Sequence, residues 1–309
     1  MPFSNFPNGF ANGVAIRGMP ILNSYGGNIF WVDSGSGSNT NDGTHVRPYG
    51  TLDYAVGKCS ANNGDVILVK AGHTETVTAA GGLDLDVAGI TIVGLGNGSD
   101  RPTVNFTTAV GADMDVGADN ITISNFLFTG GIDALTGPID INAADFTMMN
   151  CETKDVTGQA TDFIVTDANA SRLMIDGWTH RGAAAAGGAS ALQIVGGDGA
   201  MVRNFFIDGN FDTAAIENVT TAATNLTING GANGSYIRNR NAADICFTAV
   251  ATTTGNVGPN IYARVADNAA NITEAFAGAD MQFFQPIAIA NADGEVGLNT
   301  NITASADSA

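Results

Sequence analysis

The feature of this sequence that most constrains its fold is a repeat of about 25 residues. Short β-type segments recur, such as "ITIVGLG" from Ile90 and "ITISNFLF" from Ile121. Their aligned hydrophobic residues form a first series: Ile92, Ile123, Met148, Met174 or its neighbour, Val202 and Ile228. A second series lies between these segments: Leu85, Met114, Ile139, Phe163, Leu192 and Ile216. Two series that stay in phase predict at least two short strands in each repeat.

The length of the repeat selects the architecture. A period of about 25 residues without helical patterning excludes arrays of helical repeats and is shorter than the ~40–45 residues of a propeller blade. The Leu/Asn scaffold of leucine-rich repeats is absent. Forty glycines and only 14% charged residues indicate many tight turns and few exposed helices. The sequence therefore predicts an all-β parallel β-helix solenoid, whose coils stack to share one core.

Polar residues follow the first series at a fixed distance. Asn125, Asn150, Asp176 and Asn204 each come shortly after an aligned hydrophobic residue. Stacked at one corner of successive coils, such side chains can hydrogen-bond to each other and to the backbone of the turns. We therefore interpret them as an internal ladder with a structural role.

The two ends of the sequence predict the remaining organisation, since a solenoid needs its ends covered. Pro48 is suited to begin a short helix, and Leu52, Ala55, Val56 and Cys59 form one apolar stripe. The repeat fades from about Thr252. We predict an N-terminal arm over residues 1–28, a first strand, turn and capping helix over 29–64, the β-helix over 65–251, and a C-terminal cap and tail over 252–309.

The segment that covers the predicted N-terminal cap resembles the opening of right-handed β-helix proteins of the pectin-lyase-like superfamily. The matching pieces are "NDG" at Asn41, "RPYGTLDYAV" at Arg47, "GD" at Gly64 and "AGHTE" at Ala71. The resemblance implies a right-handed β-helix with about 25 residues per coil. The style of the sequence also resembles head decoration and spike proteins of tailed phages, which implies a homotrimer in a virion.

The charge balance narrows the classes of partner. Twelve Lys and Arg residues against thirty Asp and Glu residues give a net charge of −18, which argues against nucleic acid and anionic membranes. Three widely separated cysteines predict neither a disulfide framework nor a zinc site. The N-terminus lacks the pattern of a secretory signal. We therefore expect assembly in a host cytoplasm and a final location in the virion.

Carboxylates in the second series suggest a cation site. By strand alternation they form a like-charged outer patch: Asp84, Asp86, Asp113, Asp115 and Asp140. Such neighbours repel one another unless a cation, a basic partner or raised pKa values relieve them. Ca²⁺ and a merely solvated face are both left open, and no cofactor is required by any motif.

Catalytic residues are weakly indicated. Asp162, Asp167 and Glu217 could supply two carboxylates for glycoside cleavage. His180 in "GWTHRG" is a further candidate, although an exposed turn explains that segment as well. No Lys or Arg lies between Arg101 and Lys154, so the basic residue of a lyase site is not evident beside the acidic patch.

Two functions from different classes fit these observations. The first is a structural virion protein, a capsid decoration or cement protein that binds the major capsid protein or another virion protein. Its arm would attach through Phe3, Phe6, Phe10 and Arg17. The second is a phage tail or head spike that binds or depolymerises host surface polysaccharide, with sugar contacts from Trp31, Trp178, Phe211 or Tyr236. The small number of tryptophans favours the first, and enzymatic activity is not expected.

Overall fold

The computed structural model describes residues 14–16, 19–21, 27–155, 158–183, 188–241, 245–265, 275–284 and 287–290. Three parallel sheets run along these residues and confirm the predicted parallel β-helix. Between Val66 and Ala277, each turn of the solenoid contributes one strand to each sheet in the order sheet 1, sheet 2, sheet 3. The turns average about 27 residues, slightly more than the predicted 25.

The bounds of the strands show how regular the stacking is. Sheet 1 contains Ile29–Val32, Val66–Val69, Thr91–Gly94, Thr122–Ser124, Thr147–Met149, Met174–Asp176, Met201–Arg203, Leu226–Asn229, Gly255–Val257 and Met281–Phe283. Sheet 2 contains Thr74–Val77, Thr103–Phe106, Leu127–Gly130, Glu152–Asp155, Thr179–Arg181, Phe206–Gly209, Ser235–Asn239, Ile261–Val265 and Ile287–Ala290. Sheet 3 contains Leu83–Asp84, Met114–Val116, Leu135–Ile141, Ala160–Thr166, Ser190–Ile194, Ile216–Asn218, Phe247–Ala249 and Phe276–Ala277.

The first hydrophobic series forms a column in the core of the solenoid. Ile92, Ile123 and Met148 are register partners, and the column continues through Ile175 and Val202. All of these side chains are buried. Because alternate residues of a strand face the same side, one inward side chain in every two suffices to build this core. Ile175, the neighbour of Met174, is thus the member of the series in its coil.

The second series is correct in Met114, Ile139, Leu192 and Ile216 but wrong at two positions. Leu83, rather than Leu85, pairs with Met114. Both leucines are buried, and a shift of two residues keeps the same face inward, so the pattern alone does not distinguish them. Ile164, rather than Phe163, pairs with Ile139. A bulge between these two strands lets two consecutive apolar residues bury their side chains.

The predicted asparagine corner lies between sheets 1 and 2. Asn125, Asn150 and Asn204 adopt left-handed backbone conformations there, with φ of 62°, 52° and 53°. The Asn125 side-chain amide donates to the carbonyl oxygens of two residues in the preceding coil, at 2.8 and 3.0 Å. Asp176 ends a strand of sheet 1, and Gly177 with φ of 72° occupies the corner position in its coil. The Asp176 carboxylate nevertheless takes part in the ladder, because it accepts a hydrogen bond from Asn204 Nδ2 at 2.6 Å.

The N-terminal cap is held by polar residues of the recognised motifs. Asp65 is fully buried, and its carboxylate accepts hydrogen bonds from the backbone and side chain of Asn28, from the Ser60 backbone and from the Asn63 side chain. This carboxylate therefore ties the first strand to the end of the capping segment. The helix itself spans Leu52–Val56, later than the predicted start at Pro48, because the Thr51 hydroxyl provides its N-cap.

The histidine and glutamate of "AGHTE" also serve the cap. His73 Nδ1 accepts a hydrogen bond from the Ser34 backbone at 2.9 Å, so its Nε2 carries the proton that faces Glu75 Oε2 at 3.2 Å. The same glutamate oxygen accepts from the Leu52 N–H, the first of the helix, at 2.8 Å. The motif thus links the first strand, the helix and sheet 2.

The solenoid continues past residue 251, where the sequence predicts the C-terminal cap to begin. All three sheets gain strands between Gly255 and Ala290. The repeat is hard to see there because Gly255 and Asn256 replace the usual β-branched residues. Two further short elements are a 3₁₀ turn at Gly98–Asp100 and an antiparallel hairpin of Val14–Ile16 with Met19–Ile21. No helix in the described residues is long and apolar enough to cross a membrane.

Candidate functional site

The outer face of sheet 3 carries the predicted acidic row in its first three coils. Asp84 pairs with Asp115, and Asp115 pairs with Asp140, so these three carboxylates stand beside one another. Asp86 and Asp113 lie one residue outside these strands. Their charges still contribute to the raised pKa of Asp84, so all five predicted carboxylates belong to one patch.

The environment of the row resists ionisation. Burial, followed by repulsion from neighbouring carboxylates, raises the pKa of Asp84. Burial also raises the pKa of Asp113 and Asp140. In the described part of the chain, no three His, Cys, Asp or Glu side chains are arranged to hold a metal ion. The Ca²⁺ site stays a prediction. The raised pKa values of Asp84, Asp113 and Asp140 are one of the ways in which the repulsion between these carboxylates can be relieved.

Farther along sheet 3, two of the candidate catalytic residues meet. Asp162 and Glu217 lie near each other, and each carboxyl group affects the pKa of the other. Ser190 Oγ donates to Asp162 Oδ1 at 2.7 Å, and Gln193 Nε2 donates to Glu217 Oε1 at 3.0 Å. Each carboxyl group thus has one oxygen bound to a neutral donor. We call these two residues the carboxyl pair.

The surroundings of the carboxyl pair favour its protonated forms. Burial is the largest cause that raises the pKa of Asp162 and of Glu217. Two neighbouring carboxylates repel each other, so the second of the pair ionises less readily than the first. Glu217 is only 2% exposed, whereas Asp162 is half-buried and is the member that solvent reaches. One carboxyl group of the pair is therefore accessible to solvent, and the other is buried.

His180 lies inside the solenoid, so the interpretation of its segment as an exposed turn is wrong. Thr179–Arg181 is a strand of sheet 2, and alternation directs His180 inward, where it is 1% exposed. Burial lowers its pKa to about 3. Trp178 Nε1 donates to Thr153 Oγ1 at 2.9 Å, and that hydroxyl lies 2.8 Å from His180 Nδ1. His180 is therefore neutral at physiological pH.

A small pocket opens at the corner between sheets 2 and 3, next to the carboxyl pair. Its water-accessible space is about 10 Å³, room for about one water molecule, and we call it the corner pocket. Its lining includes Phe163, His180, Phe211, Asp155 and Ser190. Because Ser190 also donates to Asp162, the pocket and the carboxyl pair share one hydroxyl group.

Asp155 is a residue of this site that the sequence analysis missed. Its two oxygens accept hydrogen bonds from the backbone N–H groups of Ala160 at 3.1 Å and Ala183 at 3.2 Å. Burial outweighs these bonds and raises the pKa of Asp155 to about 6. The sequence signal was weak: an acidic residue at the end of a strand, whose burial depends on backbone from the next coil.

The predicted sugar-contacting aromatic residues are not gathered in one groove. Trp178 and Phe211 are buried in the core, at 1% and 4% exposure, because both lie on inward-facing positions. Trp31 packs edge-on against His45 in the cap, and Tyr236 stacks on Phe206 on sheet 2. The arm residues proposed for capsid attachment, Phe3, Phe6, Phe10 and Arg17, lie outside the described residues.

Comparison with known proteins supports the fold and leaves the activity open. No protein-family model matches the chain, and no curated protein matches it. Among solved structures, a GH136 lacto-N-biosidase from Eubacterium ramulus is 14% identical, with a TM-score of 0.52 over 85% of this chain and 60% of that one. A rhamnogalacturonan lyase is 14% identical, with a TM-score of 0.42 over 77% of this chain and 74% of the lyase. The similarity to the lacto-N-biosidase shows a shared fold alone, and this chain spans less than two thirds of that structure.

Proposed function

We propose that this β-helix binds a glycan on the outer face of sheet 3 and cleaves a glycosidic bond with the carboxyl pair. The observation that carries the proposal is that Asp162 and Glu217, one half-buried and one buried, lie on neighbouring strands of one sheet, each held by a neutral donor, Ser190 and Gln193. A fold by itself does not assign an activity, so the similarity to a lacto-N-biosidase adds only that such a scaffold can carry one.

The two carboxyl groups would have different roles. Half-buried Asp162 is the general acid that protonates the leaving oxygen as the glycosidic bond breaks, because it is the member that a substrate can reach. Water then adds to the anomeric carbon, and the proton that this water loses restores the protonated form of Asp162. Buried Glu217 is a positioning residue whose charge helps to keep Asp162 protonated.

The experiment incubates the intact chain with a panel of neutral and acidic polysaccharides and measures hydrolysis by the release of reducing ends. Asp162→Asn and Glu217→Gln should each lower the rate by about 100-fold or more, since general acid catalysis contributes about that much. Asp167→Asn, in a turn after the same strand, is the matched control and should keep full activity. Circular dichroism checks that each variant is folded. Wild-type protein that cleaves no member of the panel, or a fully active Asp162→Asn variant, would contradict the proposal.

A second candidate function is the structural one, attachment to a virion through the N-terminal arm. The observation in its favour is the hairpin of Val14–Ile16 and Met19–Ile21, which forms a sheet of its own rather than joining the solenoid sheets. A separate element of this kind suits a segment that docks on a major capsid protein, with the solenoid as a trimeric body. The hypothesis keeps a virion location and needs no enzymatic activity.

Deletion of residues 1–26, which keeps Asn28 and its hydrogen bonds to Asp65, tests the structural candidate. We expect the truncated chain to lose binding to capsid particles while its solenoid unfolds at an unchanged denaturant concentration. Sedimentation of the intact chain reports whether it is a homotrimer. Particle binding that survives the deletion would overturn attachment through the arm, and it would leave the hydrolysis experiment unaffected.

A further inference from the structure

The outer face of sheet 2 carries a row of basic residues on neighbouring strands. Its basic members, which we call the basic strip, are Lys154, Arg181, Arg238, Arg240 and Arg264. Asp208 lies within the row and accepts hydrogen bonds from both Arg238 and Arg240. Glu152 lies beside it and is shared by Arg181 and Arg101. Positive charge therefore remains in excess on this face, although the net charge of the chain is −18.

Aromatic side chains lie next to the basic strip. Phe206, Tyr236 and Tyr262 are register partners on three successive strands of sheet 2. The rings of Phe206 and Tyr236 stack with their centroids 5.4 Å apart, and Arg181 lies over the Phe206 ring at 5.7 Å. The stack holds Arg181 in place and leaves neither face of the Phe206 ring free for a ligand. Tyr262, which is 42% exposed, is of a residue type enriched in protein interfaces.

The opposite charge lies on another face of the same solenoid. The acidic patch of sheet 3 consists of Asp84, Asp86, Asp113, Asp115 and Asp140. Among the residues that the structure describes, none of the ion pairs involves a member of this patch. Such a group of like charges is stabilised by a basic partner. An acidic partner of another kind would satisfy the basic strip and leave this patch unrelieved.

Both surfaces repeat with the spacing of the coils. Neighbouring strands of a sheet are about 4.8 Å apart, so the basic strip is about 19 Å long and the acidic patch about 10 Å. Two copies packed side by side with their axes aligned can therefore pair one base with one carboxylate in each coil. The two surfaces belong to different sheets, and the patch lies in earlier coils than the strip, so this pairing requires a second molecule.

We propose that the basic strip of one copy docks on the acidic patch of a second copy. The two surfaces differ, so the contact is heterologous, and each added copy offers a further strip and a further patch. Association therefore extends beyond a dimer. Ion pairs between copies replace the repulsion within each patch. The contact uses neither the carboxyl pair nor the corner pocket, so it goes beyond the hydrolysis proposed above and does not depend on it.

Sedimentation velocity of the intact chain over a concentration series tests this contact. At low salt we expect species larger than a dimer. Raising NaCl from about 0.1 to about 1 M shortens the screening length from about 10 to about 3 Å, so the apparent dissociation constant should rise about tenfold or more. A chain that stays monomeric throughout the series, an assembly that stops at a dimer, or an assembly that does not respond to salt would overturn the proposal.

Charge reversal examines the two surfaces separately. A strip variant with Lys154→Glu and Arg181→Glu should weaken self-association about tenfold or more, and so should a patch variant with Asp84→Lys and Asp115→Lys. An equimolar mixture of the two variants should associate again, because the unaltered patch of the first fits the unaltered strip of the second. Both variants keep a negative net charge, so a general attraction between them does not explain such a rescue.

A variant with Arg47→Glu and Arg172→Glu is the matched control. Both arginines are exposed and form ion pairs outside the strip, so this variant should associate like the wild type. Circular dichroism checks that each variant is folded; if one is not, the salt series of the wild type and the other variant decide.

Three results with folded variants would also overturn the proposal. They are unchanged association of the strip variant, equal weakening in the matched control, and a mixture of strip and patch variants that fails to associate. Binding of alginate by a monomeric wild type, lost in the strip variant, would assign the strip to an acidic glycan instead.

Discussion

The effect of Asp155→Asn on the free energy of unfolding should change sign between acidic and alkaline pH. The folded protein raises the pKa of Asp155 from 3.8 to about 6, chiefly through burial. In this range the folded state binds a proton more tightly than the unfolded chain does. The contribution of Asp155 is therefore fully present below pH about 4 and is lost as the pH rises through about 6.

The magnitude follows from the shift. About 2 pKa units at about 1.4 kcal/mol each give roughly 3 kcal/mol lost by the wild type at alkaline pH. Asparagine does not titrate, but its amide cannot accept from both Ala160 and Ala183, which costs about 1 kcal/mol at every pH. Asp155→Asn should thus be about 1 kcal/mol less stable than the wild type at pH 4 and about 2 kcal/mol more stable at pH 8.

Urea unfolding at a series of pH values measures this difference directly. Other carboxyl groups also titrate, so the difference between variant and wild type isolates Asp155 from them. Asp100→Asn, at an exposed position, is the control, and its free energy of unfolding should follow that of the wild type at every pH. A difference between Asp155→Asn and the wild type that stays constant from pH 4 to pH 8 would refute the reasoning, because it would mean that burial does not perturb this carboxyl group.

Three other substitutions test the cap, the core network and the surface. Asp65→Ala removes the acceptor of four hydrogen bonds and should lower the free energy of unfolding by about 3–5 kcal/mol in urea; a loss below about 1 kcal/mol would contradict its role in the cap. Thr153→Val leaves two buried rings without their shared hydroxyl and should cost about 2–3 kcal/mol and change the His180 tautomer signal in NMR spectra; unchanged ring nitrogens would contradict the network. Arg172→Ala breaks an exposed ion pair and should cost at most about 1 kcal/mol by thermal unfolding.

The fold was predictable because the core repeats. One inward side chain per strand recurs in each coil, so Ile92, Ile123 and Met148 reveal the column without any structure. The same alternation leaves shifts of two residues undetermined, which is why Leu85 was taken for Leu83. The same alternation also indicates that His180 is buried. Trp178 and His180 are two residues apart and therefore face the same side of the strand, where the Trp178 indole is buried.

The candidate site was only partly predictable. Asp162 and Glu217 were candidates by residue type, but the proximity of their carboxyl groups depends on the register between strands of different coils. Ser190 pairs with Asp162, and Gln193 pairs with Glu217, which fixes that register. A bulge changes such offsets by one residue, and no local pattern shows it. Asp155 was missed because its raised pKa comes from backbone folded over it rather than from its own sequence context.

The linear stacking of coils has a consequence for the way the chain opens. Each coil contacts only its neighbours, so opening spreads from an end one coil at a time. At the N-terminal end, Asp65 joins the first strand of sheet 1 to the capping segment, and opening from this end must begin by breaking those bonds. Loss of this one carboxylate should therefore speed amide hydrogen exchange most in the first coils and progressively less in the coils that follow.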